Sequence, residues 1–126
     1  MSDGVTLDAG ALIALDRNDR RVIALVVRAA ECGSRLTIPA GALAQAVREP
    51  ARQVRLARLI RQPTTDVAAL DRVDATQVGR LLAASGTADV VDAHVVVCAR
   101  RAGQFVVTSD PDDLHRLDPN LSFVTL

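Results

Sequence analysis

Four aspartates stand where carboxylate chemistry could be done. Asp8 follows the apolar run GVTL and precedes AGALIAL. Asp110 follows QFVVTS and precedes PDDLHRL. Asp89 and Asp92 lie three apart at the head of the apolar stretch VVDAHVVVCA. Singly, each has a purely structural reading, because Asp is a preferred helix N-cap and the helix dipole favours carboxylates in the first turn. The run Asp110-Pro111-Asp112-Asp113 is a strong helix start by itself, with Pro at the first helical position. Together they read differently. Three or four carboxylates within a few Å do not all stay ionised without a compensating cation. The chain has no Lys, and no Arg lies within four residues of Asp92. A divalent cation is the natural counter-ion, and an all-oxygen donor set favours Mg²⁺ or Mn²⁺. Such a site polarises a phosphoryl oxygen and lowers the pKa of bound water, the chemistry of phosphodiester hydrolysis.

The elements that must position these acids alternate along the chain. Strand-like runs fall at residues 4–7, 35–38, near 64–67, at 104–109 and at the C-terminal SFVTL. Helical patterns cover ALIALDR at 11–17, residues 19–32, Pro39 to about 48, 50–61, 69–84, 89–102 and 110–117. The pattern at 89–102 is apolar on nearly every side and predicts a central helix. Strands separated by helices imply parallel pairing and a three-layer α/β/α domain. In such an open sheet, ligands bind outside the carboxyl ends of the strands, where both Asp8 and Asp110 fall. The length of 126 residues fits one domain, and 49% hydrophobic residues suffice for one core. No apolar run approaches the ~20 residues of a membrane span. MSDGVTLDAG lacks a basic region followed by an apolar stretch, so no secretory leader is expected. Cys32 and Cys98 lie in apolar helical surroundings without a CxxC spacing, and read as buried free thiols of a cytoplasmic protein.

Net charge is zero, but all fifteen cations are Arg and thirteen of the fifteen acids are Asp. Without Lys, a Walker A loop and Schiff-base chemistry are excluded. With no Trp or Tyr and two Phe, base-stacking platforms are not expected. Arg48, Arg52, Arg55 and Arg58 recur every three or four residues, a basic stripe suited to RNA phosphates or an acidic partner, although Pro50 interrupts it. His94 is about 200° around the helix from Asp92 and reads as structural. His115 is placed on a surface helix. Asp112 and Asp113 read as first-turn dipole partners, with Asp112 near enough for an outer contact to a metal. Asp16, Asp66, Asp71, Asp74 and Asp118 fall in loops or on exposed faces and receive no role.

The segments TLDAGALIAL, IPAGALAQAVRE, GTADVVDAHVVVCA and VVTSDPDDL, in this order and spacing, resemble a PIN domain. More narrowly they resemble the VapC toxins of bacterial VapBC toxin–antitoxin pairs, over nearly the whole chain. The resemblance implies a PIN-like α/β/α fold with a central, mainly parallel sheet. It also implies metal-dependent ribonuclease activity with Mg²⁺ or Mn²⁺, a homodimer and a small antitoxin partner. Asp8 matches the family's first metal-binding acid, Asp92 the aspartate that begins its DA motif, and Asp110 the acid of its T-x-D, with Thr108 as the hydroxyl residue. Asp89 matches an additional acid of many members. One position departs: Gln45 stands where the family usually has a glutamate, and an amide brings no charge and is a poor base. Glu49, one turn further along the expected helix, is a partial substitute. Two readings follow: an enzyme that cuts RNA, or a PIN-like module that binds RNA or an antitoxin without cutting. Receivers and dehalogenase-like phosphatases also place an aspartate after the first strand, but most of them use a lysine.

Overall fold

The structure, a computed structural model, describes residues 4–126; the first three residues of the N-terminal stretch read above as free of a leader lie outside them. Strands β1 (Val5–Leu7), β2 (Leu36–Pro39), β3 (Thr65–Ala68), β4 (Phe105–Thr108) and β5 (Phe123–Thr125) form one sheet in the order β3-β2-β1-β4-β5. Every pairing is parallel. The chain therefore steps outward from β1 through β2 to β3, then returns to β4 on the other side of β1. In sheets of this kind such a reversal is where ligands bind, at the carboxyl ends of the strands on either side, here β1 and β4.

Among the described residues seven α-helices cover the sheet: α1 (Ala9–Asp16), α2 (Arg20–Glu31), α3 (Ala40–Ala46), α4 (Val54–Arg61), α5 (Arg72–Ser85), α6 (Val90–Ala102) and α7 (Pro111–Leu117). Helix α1 packs against α2, α3 and α4, whereas α5, α6 and α7 pack against one another. Right-handed crossovers place the first group on one face and the second on the other, as the direction of travel along the sheet reverses after β3. This is the expected three-layer arrangement.

Helix α6 is the structural centre. Ala93 to Ala99 are all buried, so the helix is enclosed on every side over almost two turns. Its ends follow from the sequence: Asp89 caps the start, and Gly103 at φ 65° closes the end in a left-handed conformation that favours glycine. A single hydrophobic core joins it to both faces of the sheet through Leu7, Leu12, Ile38, Val106 and Leu114. No single helix among the described residues is long and apolar enough to cross a membrane.

Three local expectations are corrected. The helix after Pro39 stops at Ala46 instead of near Arg48, because Val47 is already extended. Residues 50–61 are not one helix: a 3-10 turn at Pro50–Arg52 is followed, after Gln53, by α4. The buried Gln53 side chain bridges this break, its Oε1 accepting from the Arg48 and Glu49 N–H groups and its Nε2 donating to the Ala46 carbonyl. Of the two free cysteines, Cys98 is buried as expected but Cys32 is exposed.

Candidate functional site

Each acid is delivered by a short structural device. Asp8 directly follows β1, is 7% exposed and caps α1, its Oδ1 accepting from the Ala11 N–H at 2.8 Å. Asp89 caps α6, its Oδ1 accepting from the Asp92 N–H at 3.0 Å, which leaves the Asp92 carboxyl group unspent on the helix. Asp110 occupies the cap position of α7 but makes no side-chain cap bond. Its N–H instead donates to the hydroxyl of buried Thr108 at 2.9 Å, which fixes the turn after β4. The cap readings of Asp8 and Asp89 are therefore right as local structure, and these same caps set the acids around the crevice.

Electrostatics tie the set together. The Asp92 carboxyl is pushed up to about 6 by burial first, then by the charges of Asp89, Asp113, Asp8 and Asp110. Burial also raises Asp8, with hydrogen bonds from Thr108 and the Ala11 N–H pulling the other way. Asp110 is raised, chiefly by a hydrogen bond shared with the Asp113 carboxyl. Three separate parts of the chain thus place five carboxyl groups within electrostatic reach of one another.

A cleft of about 190 Å³ opens over Asp89, Asp92 and Asp113, with Arg116 and Leu117 on its far wall. Two members of this wall were missed from the sequence. Asp113, not the exposed Asp112, turns toward Asp92, because α7 begins at Pro111 and its third residue faces α6. Arg116 brings a guanidinium 3.8 Å from Asp113, a cation that distance along the chain had hidden. Gln45, in the last turn of α3, is exposed, one turn beyond Gly41, whose position packs against Val91 at the head of α6. Glu49 is not one turn along the same helix, since α3 has ended; it pairs with Arg52 at 3.5 Å. Neither residue lines the cleft.

The basic stripe does not survive as a continuous face. Arg48 donates to the Ala44 and Val47 carbonyls, Arg52 is held by Glu49, and Arg55 reaches the Asp16 carbonyl. These arginines serve the broken segment between α3 and α4.

A second charged cluster lies on the opposite side of α6. His94 is fully buried, and its Nε2 is 2.9 Å from Asp74 Oδ2. A carboxylate only accepts, so Nε2 carries the proton. Both Nη groups of Arg101 donate to the same carboxylate. The Asp74 carboxyl is held down at about 2, first by Arg101 and then by His94. His94 is thus structural, as expected, whereas Asp74 is a buried ion-pair partner and not a loop or exposed residue. Asp118 is corrected likewise: it is 7% exposed and accepts from Arg100 Nε at 2.8 Å.

Ligand atoms of Asp74, His94 and Cys98 lie within 4.8 Å of one another, a spacing compatible with a metal. The guanidinium of Arg101 already neutralises this carboxylate, and burial pushes the Cys98 thiol up to about 11, well away from the thiolate a metal requires. The donor chemistry of the cleft is the reverse: oxygen-only, negative and undercompensated. The acids around the site offer the oxygen donors a hard divalent cation takes, but among the described residues only Asp74, His94 and Cys98 bring three ligand atoms within 4.8 Å, and Asp8 and Asp110 do not line the cleft.

No protein-family model matches the chain, and no curated protein matches it in sequence. Solved structures do match its fold. It is similar to a chain of VapBC2 from Rickettsia felis bound to a DNA fragment from their promoter, at 14% identity and TM-score 0.68, over 98% of both chains. A chain of the DNA-bound VapBC from Salmonella typhimurium is similar at 20% identity and TM-score 0.68, over 99% of this chain and 98% of that one. FitAcB from Neisseria gonorrhoeae is similar at 14% and 0.65, over 96% of each. The PIN-like α/β/α fold is thereby established over the whole described chain.

Proposed function

We propose that this protein is a metal-dependent ribonuclease and the toxin of a VapBC-type toxin–antitoxin pair. The observation that carries the proposal is the gathering of Asp8, Asp89, Asp92, Asp110 and Asp113 from three parts of the chain, which together with burial pushes the Asp92 carboxyl up to about 6. A fold gains no stability from such crowding, so the arrangement is best explained by a ligand that brings positive charge. Asp8, Asp92 and Asp110 would hold Mg²⁺ or Mn²⁺, with Asp89 in support. When bound, the cation would polarise a phosphoryl oxygen and favour ionisation of an attacking water. Thr108 holds the Asp110 turn against β4, and α6 keeps Asp89 and Asp92 in fixed register. Arg116 is placed to neutralise a non-bridging phosphate oxygen.

The fold similarity supports an antitoxin partner, since the similar chains occur in VapBC and FitAB complexes. A homodimer, implied by the sequence resemblance to VapC toxins, is part of the same proposal. Gln45 favours one alternative, a module that binds RNA or an antitoxin without cutting. The decisive experiment incubates the purified protein with RNA in EDTA, Mg²⁺ and Mn²⁺. Cleavage in either metal, lost in EDTA and in Asp8→Asn and Asp92→Asn, is expected. RNA binding without cleavage in any metal rejects the enzyme in favour of the module.

A further inference from the structure

On the far side of the cleft wall, α5, α6 and α7 enclose a groove of about 790 Å³. Arg80 rises from α5, Arg100 and Arg101 from α6, and Arg116 from α7. No Asp or Glu lines it among the described residues, although Arg100, Arg101 and Arg116 are ion-paired with Asp118, Asp74 and Asp113. Its floor is apolar, with Leu81 and Val97 facing each other across the α5–α6 contact. Arg116 and Leu117 belong both to this groove and to the acidic cleft, so the two are continuous around α7.

We propose that this groove is a track for the phosphate backbone of single-stranded RNA leading to the acidic cleft. The inference rests on the ribonuclease reading and adds where the strand runs. A strand whose scissile phosphate meets a negatively charged cleft must be held by cations on its flanking phosphates, since the cleft itself repels it. The groove supplies these beside the cleft, and Arg116 stands at the junction. Two of its guanidiniums are oriented in advance. Arg101 is braced on Asp74, and Arg100 spends only its Nε on Asp118, while both side chains remain half exposed. Arginine planes also offer faces for bases to stack on, a role this aromatic-poor chain cannot give to Trp or Tyr. An acidic peptide would meet the same cations, but continuity with a cleft fitted for phosphodiester chemistry favours RNA.

The test measures anisotropy of a fluorescent mixed-sequence oligoribonucleotide in EDTA, across a salt series. The proteins are wild type, Arg80→Gln/Arg116→Gln, and Arg20→Gln/Arg28→Gln on the exposed side of α2 as a basic-residue control. Loss of two phosphate contacts predicts roughly tenfold weaker binding and a salt slope shallower by about 1.4 for the groove variant. The control variant is expected to bind as wild type. Equal affinity and slope for the groove variant and wild type would overturn the track. So would a groove variant that binds RNA normally yet loses an acidic peptide bound by wild type, which would make the groove a protein-docking site. Because binding is read in EDTA, absence of cleavage by the wild type would reject the ribonuclease reading without touching this result.

Discussion

Two aspartates lie against α6 and ionise in opposite directions. Asp74 is almost wholly buried, yet its carboxyl is held at about 2, because Arg101 and His94 meet it with opposite charge and hydrogen bonds. Asp92 is half-buried and its carboxyl rises to about 6, because its burial is left uncompensated and the charges of Asp89, Asp113, Asp8 and Asp110 add to it. Burial alone therefore does not separate them; partners do. A charge satisfied within the chain supports the fold, whereas a charge left unsatisfied at a crevice is available to something outside it.

The comparison is broken most directly by removing each carboxylate. Asp92→Asn is expected to lower RNA cleavage at least 100-fold while leaving the protein folded and, in EDTA at pH 7, somewhat more heat-stable. Asp74→Ala leaves Arg101 and His94 uncompensated and is expected to cost about 3–5 kcal/mol in denaturant unfolding. Its effect on cleavage should follow the folded fraction. If Asp92→Asn destabilises as much as Asp74→Ala, the two carboxylates do not differ in kind.

Acid titration separates them by sign. Asp74 is a stronger acid folded than unfolded, so its contribution is present above its ordinary value of 3.8 and is lost as pH falls toward 2. The loss is about 2 kcal/mol. Asp92 is a weaker acid folded, so stability without a divalent cation declines as pH rises from 3.8 toward 6. That decline is at most about 3 kcal/mol and is reduced by solvent screening at the cleft. Urea unfolding in EDTA from pH 2 to 7 should rise and then fall, and Asp92→Asn should flatten only the fall. A monotonic curve in the wild type contradicts the opposition.

The smallest effect concerns Gln45. Gln45→Glu adds a charge near the head of α6 and is expected to raise cleavage by up to about tenfold, or 1.4 kcal/mol. An unchanged rate, together with unchanged Mn²⁺ binding by calorimetry, would place residue 45 outside the metal's reach.

Much of this was legible in the sequence for identifiable reasons. β-Branched runs such as FVVT mark buried parallel strands, and α6 is apolar around its whole circumference, so the layers and the strand-end acids were readable. What escaped were pairings between residues distant in sequence. Asp74 meets Arg101 across 27 positions, and Arg100 meets Asp118 across 18. Yet Asp74, Val78 and Leu81 share one helical face, and an acid on an apolar stripe announces a buried partner. The choice between Asp112 and Asp113 depended on the rotation of a seven-residue helix, which a short pattern does not fix. The end of α3 turned on Val47, where neither glycine nor proline marks a stop.

Gly10, in the first turn of α1, lies close to Ser109 in the turn after β4. A Cβ there would fall 2.5 Å from Ser109 Oγ and 3.4 Å from Asp8 Oδ1. A larger residue would press on the Ser109 side chain, so the approach of α1 to the turn that carries Asp110 is gauged by a side chain that is not there.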